Sequence, residues 1–465
     1  MYVSGQSLGD FLPWPLAGSV RNVGVGPPRP RAVDFDALAV GPDPQIPLAS
    51  FERRRARVAK ALGDEAVLVV ATNPVTTYSN DVEHVFRPHS DFWYLTGFRE
   101  PHALLVLEGG SGATTLFLQG RKPEAEVWTG KRLGVERACE ALAVDRAYDI
   151  EGVGARLREA LRGRKVHAVV GHDGEVATRL AAATGEVQDA RPLLADMRLR
   201  KDAEELAMLA RAADVGVEAM RRAARQVRPG HHEFQVEAEL LRTYREHGST
   251  GPGYPPIVGA GANAAVLHYI ANTAPIREGD MVLVDAGCEW GYYNSDITRT
   301  FPAGDPGDDA WRVYDLVVQA HDAAVRAAVP GNRLRDPHDA AVRVLAEGLA
   351  GMGLLAGDAD KVVEDGGFRS FFMHGTSHYL GLDVHDVGTT KDEEGKSRRL
   401  EEGMVITVEP GLYFNTDFAK CPDHLAGLGV RVEDDVVVTA DGPRVLTASL
   451  PRQRDEVEAL VGVLA

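Results

Sequence analysis

Cysteine is scarce in this chain of 465 residues: Cys139, Cys288 and Cys421 are the whole complement. Thiols so few and so scattered make neither a disulfide framework nor a cysteine metal knuckle, and they fit a reducing compartment as ordinary packed side chains. Basic charge is short as well. Lys and Arg total 51 against 68 Asp and Glu, a net of −17, which disfavours a surface that tracks phosphates or adheres to anionic membranes. Neither nucleic acid nor a membrane is an expected partner. No run approaches the roughly 18–20 consecutive apolar residues of a spanning helix. The opening MYVSGQSLGDFLPWPLAG has neither the basic leader nor the unbroken apolar core of a secretory signal, so cytoplasmic residence is the expectation. The rest of the composition is ordinary for a folded protein, 44% hydrophobic and 26% charged, and the length allows two or three domains.

Residues 1–48 hold 8 Pro and 6 Gly, which break helix and sheet alike, so this stretch reads as an extended arm. From Ser50, FERRRARVAKAL predicts an amphipathic helix. The apolar runs AVLVVA (66–71), FWYLTGF (92–98), ALLVLEG (103–109), TTLFLQG (114–120) and HAVVG (167–171) read as strands, with helical stretches near 151–162 and 174–183. Residues 49–195 thus form a mixed α/β domain in which no catalytic motif stands out. Asp202 and Glu205 have the spacing of a capping box and open a long helical pattern that ends at Arg228-Pro229-Gly230. Residues 196–465 alternate helices and strands and contain nearly all the chemistry.

A weak internal repeat organises that second part. Gly279-Asp-Met-Val-Leu-Val-Asp285-Ala-Gly resembles Gly403-Met-Val-Ile-Thr-Val-Glu409-Pro-Gly: a turn, an apolar strand, and an acid just before a chain-bending pair. Each is followed by a second strand bearing an acid, Asp296 in YNSDITRTF and Glu433 in GVRVEDDVVVT. A duplicated half-domain would gather the four carboxylates at a pseudo-twofold centre. A lone strand-end acid is ordinarily a solvated turn residue. Asp285 and Glu409, however, end runs that look buried, where an unpaired carboxylate is expensive. Nearby cationic side chains are few apart from Arg299 and Arg431, so two divalent cations are an economical match.

The segment FFMHGTSHYLGLDVHDVG (371–388) adds His374, His378 and His385, three of the chain's fifteen histidines within twelve residues. Spacing leaves open which of them binds metal and which supports the others. Carboxylate-rich sites with one imidazole suit Mn²⁺, Co²⁺ or Zn²⁺, and the hard oxygen ligands tilt the choice toward Mn²⁺.

Taken in order, VDAGCEWGYYNSDITRTFP, HGTSHYLGLDVHDVG, TVEPGLYF and GVRVEDD resemble the Xaa-Pro aminopeptidases, also called aminopeptidase P. SDFWYLTGF, AEVWTGKRLG and DMRLRKDAEELAMLARAA are similar to the bacterial members, and the resemblance covers roughly residues 49–460. It implies an α/β (α+β) protein, with a pita-bread catalytic domain behind a creatinase-like amino-terminal domain. It also implies a ligand set of Asp285, Asp296, His378, Glu409 and Glu433 around two divalent ions, Mn²⁺ first among them. Asp296 and Glu433 would bridge both ions. His268, His374 and His385 match the family's outer histidines. Arg431, two residues before Glu433, shares its strand face by the period of two and joins the catalytic group. Tyr254, His374, Trp128 and Asp81 are the substrate-binding candidates, the tryptophan reaching into a neighbouring subunit's site within a homo-oligomer, tetramer or dimer. The implied activity is release of the first residue from peptides with proline second. An Xaa-Pro dipeptidase would use the same ligands and close the pocket beyond proline. A methionine aminopeptidase has no need of residues 49–195 as a separate domain. A non-catalytic pita-bread binding protein or a creatinase-type metal-free hydrolase would lack the ligands.

Overall fold

In the computed structural model, the described residues are 45–169, 186–417 and 421–462. Most of the proline-rich arm and the helix expected at 174–183 lie outside them. The amphipathic helix expected after Ser50 is Leu48–Leu62. It leads into a six-stranded mixed sheet whose spatial order is Arg146–Asp149, Thr114–Leu118, Leu104–Glu108, Ala66–Ala71, Lys165–Val169 and Val187–Asp189. Its central strand AVLVVA is buried at every position, which is why it reads as one apolar run without alternation.

One expected strand is a helix. FWYLTGF contributes to Ser90–Thr96, all seven residues of which are buried. The run has no solvated face whose period distinguishes helix from strand, and local bonds decide it. The His89 side chain accepts from the Asp91 amide at 3.2 Å, the Thr96 hydroxyl donates to the Phe92 carbonyl at 2.7 Å, and Gly97 ends the turn in the left-handed region at φ 68°. Trp128 lies on the short helix Pro123–Thr129, started by Pro123 at a position where the missing N–H costs nothing.

The capping box forms as expected. Asp202 accepts from the Glu205 amide at 2.9 Å, Glu205 accepts from the Asp202 amide at 3.2 Å, and the helix runs from Ala203 to Ala224. The remaining architecture repeats. The helices Ala203–Ala224 and Glu233–Glu246 precede an antiparallel sheet of Ile257–Ala260, Asp280–Asp285 and Thr298–Ala303. The helices Asp308–Ala327 and Asp336–Gly351 precede an antiparallel sheet of Val405–Val408, Asp434–Thr439 and Gly442–Val445. The two sheets touch through an isolated bridge between Thr298 and Glu433, beside the expected acids.

A buried ion cluster fastens the amino-terminal part to the loop after His378. Arg198, 2% exposed, meets Asp91 at 2.7 Å, Asp383 at 2.7 Å and Asp386 at 2.5 Å, and Lys201 meets Asp386 at 3.0 Å. Trp93 packs edge-on against Phe51 on one side and Tyr292 and Tyr293 on the other. Among the described residues no helix is long and apolar enough to cross a membrane.

Candidate metal centre

The repeat delivers its four acids to one place. Asp285 is the last residue of its strand and Glu409 directly follows Val405–Val408, while Asp296 and Glu433 sit just before the strands Thr298–Ala303 and Asp434–Thr439. All four line a single cavity of about 460 Å³, together with Tyr254, His268, His374, His378, His385 and Arg431. Ligand atoms of Asp296, His378 and Glu433 lie within 4.8 Å of one another.

His378 is oriented so that its Nε2, once it gives up its proton, can offer a lone pair to a cation. Its Nδ1 lies 3.0 Å from the Tyr379 carbonyl, which can only accept, so the ring proton sits there and Nε2 is left as the donor atom. Nε2 points at Asp296 Oδ2, 3.3 Å away, and Glu409 Oε1, 3.6 Å away. Burial works against a charged ring here, yet the Asp296 carboxylate outweighs it and lifts His378 to about 9. The sequence left three histidines open, and this geometry separates them.

His374 lies 3.5 Å from Glu409 Oε2, but both of its ring nitrogens are engaged elsewhere. Its Nδ1 donates to the Gly375 carbonyl at 2.7 Å, and its Nε2 accepts from the Tyr413 hydroxyl at 2.8 Å. Burial, aided by Arg431, holds its pKa down at about 3, so this imidazole is neutral. Tyr413 in turn accepts from Arg431 Nη1 at 2.8 Å, while Arg431 Nε donates to Thr298 Oγ1 at 3.1 Å and Nη2 pairs with Asp285. Thr298 Oγ1 in turn donates to Glu433 Oε2 at 2.6 Å. One guanidinium thereby orients two of the acids and one histidine. His385 stands with its ring 4.4 Å from that of His378, and His268 is exposed at the cavity's mouth.

Of the two nearby cationic residues, Arg431 enters the site and Arg299 does not. Arg299 is fully buried behind it, donating to the Glu433 carbonyl at 2.7 Å and pairing with Asp434 at 2.7 Å. The acid cluster is therefore under-compensated. Burial, with Arg431 pulling the other way, raises Asp285; burial pushes Glu409 up to about 7, and burial reinforced by Asp296 drives Glu433 well above the carboxylate range. Tyr254 is a sharper sign. Its hydroxyl lies 2.5 Å from Asp285 Oδ1 and also within bonding distance of Asp296 Oδ1, and one phenolic proton cannot serve two carboxylate oxygens. Acceptors crowded beyond the supply of donors fit a site for cations.

Trp128 and Asp81 are elsewhere. Trp128 is 87% exposed, Asp81 is exposed at the turn of the hairpin Thr77–Ser79 and Val82–Glu83, and neither lines the cavity of its own chain. The sequence reasoning passed over Tyr413 and Thr298, although both stand inside the quoted motifs TVEPGLYF and SDITRTF. Their signal was position: each lies on a strand next to a candidate ligand, where a hydroxyl reaches its neighbour's carboxylate or guanidinium.

Comparison with known proteins finds two family matches along the chain. Residues 51–170 match the aminopeptidase P amino-terminal domain, and residues 207–440 match metallopeptidase family M24. The chain belongs to metallopeptidase family M24. It is 39% identical to the Xaa-Pro aminopeptidase of Escherichia coli over 438 residues, covering 90% of this chain and 98% of that one. Identity to the Haemophilus influenzae Xaa-Pro aminopeptidase is 38% over 427 residues, with 90% and 98% covered. The solved structure of Pseudomonas aeruginosa aminopeptidase PepP superposes with a TM-score of 0.87 at 39% identity, again over 90% and 98% of the two chains. The α/β architecture with a pita-bread catalytic domain follows from family and superposition together. Membership makes the chain a metallopeptidase, a hydrolase whose cavity acids are of the type that holds divalent metal.

Proposed function

We propose that the chain is a dinuclear Xaa-Pro aminopeptidase, removing the first residue from peptides whose second residue is proline. The supporting observation is the convergence of four carboxylates and the Nε2 of His378 on one cavity in which Arg431 is, among the described residues, the sole lining Arg or Lys. Asp285, Asp296, His378, Glu409 and Glu433 are the ligands in this reading. Two divalent ions with one hydroxide bring four carboxylates and Arg431 to neutrality, and oxygen-rich ligation favours Mn²⁺. Such ions, when bound, polarise the scissile carbonyl and lower the pKa of a shared water toward neutrality.

The side chains supply the rest. An Xaa-Pro bond has no N–H, so recognition cannot depend on that donor and must come from the cavity's shape and the peptide's free amine. Glu409, with Oε2 3.5 Å from His374 Nδ1, is placed to move a proton from the attacking water to the leaving proline nitrogen. His268 and His385 face the cavity as donors to the developing oxyanion, and neutral His374 walls the proline side. Residues 49–195 form the amino-terminal domain and 196–465 the catalytic one. Trp128 and its neighbour Val127, 81% exposed, suit contact with a second subunit, so the working form is a homo-oligomer, tetramer or dimer, in the cytoplasm. Metal analysis of the purified protein, run beside peptides of the Xaa-Pro-Xaa, Xaa-Ala-Xaa and Xaa-Pro types, tests the proposal. Cleavage of Arg-Pro-Pro well ahead of Gly-Pro, lost on chelation, is the expected result, and a marked preference for Gly-Pro would replace the aminopeptidase with a dipeptidase.

A further inference from the structure

His268 stands on a segment with almost no regular structure. Between the strands Ile257–Ala260 and Asp280–Asp285 only a short 3₁₀ turn, Gly261–Ala265, is ordered by its own backbone. The part that faces the cavity, Leu267, His268 and Ile270, follows that turn as irregular chain. A group that must meet a developing charge has to be held to within about 0.5 Å. Something outside the loop must hold it.

The structure assigns that task to Glu233, as a positioning residue for His268; the inference rests on the aminopeptidase reading above. Glu233 opens the helix Glu233–Glu246 and is fully buried. Its Oε1 accepts from the Ala260 amide at 2.8 Å and from Asn263 Nδ2 at 2.9 Å. Its Oε2 accepts from the Tyr269 hydroxyl at 2.9 Å and from the Ala274 amide at 2.7 Å. One carboxylate thus gathers the start, the middle and the end of the loop, and its backbone N–H adds a bond to the Ala274 carbonyl at 3.0 Å. Among the described residues from Leu267 to Ala271, Tyr269, next to His268, is the one whose side chain is hydrogen-bonded, donating to Glu233 and accepting from the Thr273 amide at 3.5 Å. No ion pair with Glu233 occurs among the described residues, so its charge is answered by these four donors. A buried acid so fully used by one loop, and by nothing else, has the position of His268 as its consequence.

A carboxylate is needed, since it is an acceptor at every lone pair. In Glu233→Gln the amide NH₂ must face one of the two oxygen sites. Asn263 or Tyr269 can turn to accept from it, but the backbone N–H of Ala260 or of Ala274 cannot. Glu233→Gln therefore frees one end of the loop without changing side-chain size, and Tyr269→Phe removes the strap beside His268 while leaving three donors in place.

The test is a double-mutant cycle on the metal-loaded full chain, using an Xaa-Pro-Xaa peptide, with metal content and unfolding midpoint measured for each variant. Glu233→Gln should lower kcat by roughly tenfold or more, and Tyr269→Phe by less, with full metal in both. In a His268→Ala background, Glu233→Gln should change kcat by no more than about twofold, because the group it positions is gone. Hydrogen exchange of residues 261–274 should quicken in Glu233→Gln. The same loss of kcat with and without His268 would overturn the inference and leave the aminopeptidase reading standing. Full turnover by His268→Ala alone would instead remove the role given to His268, and the inference with it.

Discussion

Arg198→Met probes the joint between the amino-terminal part and the catalytic loop, and the structure fixes which group suffers. Arg198 meets three carboxylates, but two of them keep other partners when it is gone. Asp386 retains Lys201 at 3.0 Å, and Asp383, 38% exposed, retains water and the Ser90 hydroxyl at 2.6 Å. Asp91, 5% exposed, has no other ion pair among the described residues. Met fills the space of the arginine stem, so little packing is lost and the cost is that of one orphaned buried charge, about 3–5 kcal/mol. Removing the orphan should reverse most of it. Arg198→Met combined with Asp91→Leu is expected to recover at least about half of the loss, because replacing both partners of a buried pair by apolar groups is often close to neutral. Urea unfolding followed by far-ultraviolet circular dichroism and tryptophan fluorescence measures both variants, with coincidence of the two probes as the check on a single transition. The reasoning fails if Arg198→Met unfolds at the wild-type midpoint. It fails equally if Asp91→Leu adds its own full penalty to the single variant in place of offsetting it.

In the proposed reading Asp296→Ala and Glu433→Ala each remove a carboxylate ligand and should abolish turnover and lower metal content; full activity in a metal-free preparation would contradict this. His378→Ala should lose metal, while His374→Ala and His385→Ala keep most of it and lose kcat by about 10²-fold; equal metal loss in all three would undo the assignment of the tautomer-locked Nε2. Metal uptake should release protons, because burial holds Glu409 up at about 7 and keeps Glu433 well above the usual carboxylate range. A raised carboxyl is protonated below its pKa and must surrender that proton to bind a cation, so calorimetry in buffers of different ionisation enthalpy should find more protons released at about pH 6 than at about pH 8, and affinity rising with pH. An equal release at both would count against it. Trp128→Ala should raise KM for longer peptides more than for tripeptides with metal content unchanged, and an unaltered KM with an unaltered sedimentation coefficient would leave its exposure unexplained.

Much of the candidate site was legible because strand geometry is local. A period of two places Arg431 and Glu433 on one face of an extended stretch, and the structure puts both in the cavity, although Arg431 ends the strand Gly429–Arg431 and Glu433 sits at the bridge before Asp434–Thr439. The same rule, applied to Arg299, explains why proximity in sequence misleads. Thr298 faces the site and bonds Glu433, so its neighbour Arg299 must face the other way, and it does, into the core against Asp434. The adjacent acids of the second repeat divide on the same principle, Glu433 toward the cavity and Asp434 away from it. The acids Asp285 and Glu409 were readable for a different reason: runs buried on both faces end in a carboxylate, and such a pattern needs a compensating charge. What stayed hidden depends on partners far apart in the chain. Ser90–Thr96 reads as a strand because burial on every side, against Phe51, Tyr292 and Tyr293 among others, hides its helical period, and the His89 and Gly97 caps that decide it are too short a signal to outweigh that apolar run. Nothing near Glu233 marks it as the anchor of residues 260–274, because a helix-opening acid is ordinarily a solvated residue near the helix dipole. The hydroxyls of Tyr413 and Tyr254 could be seen in the sequence, but the carboxylates and the arginine that give them roles lie 18 to 42 residues away. Pattern reaches as far as one element's periodicity; the tautomer of His378, the neutrality of His374 and the posture of His268 are each set by a side chain or a carbonyl that only the closed fold brings within bonding distance.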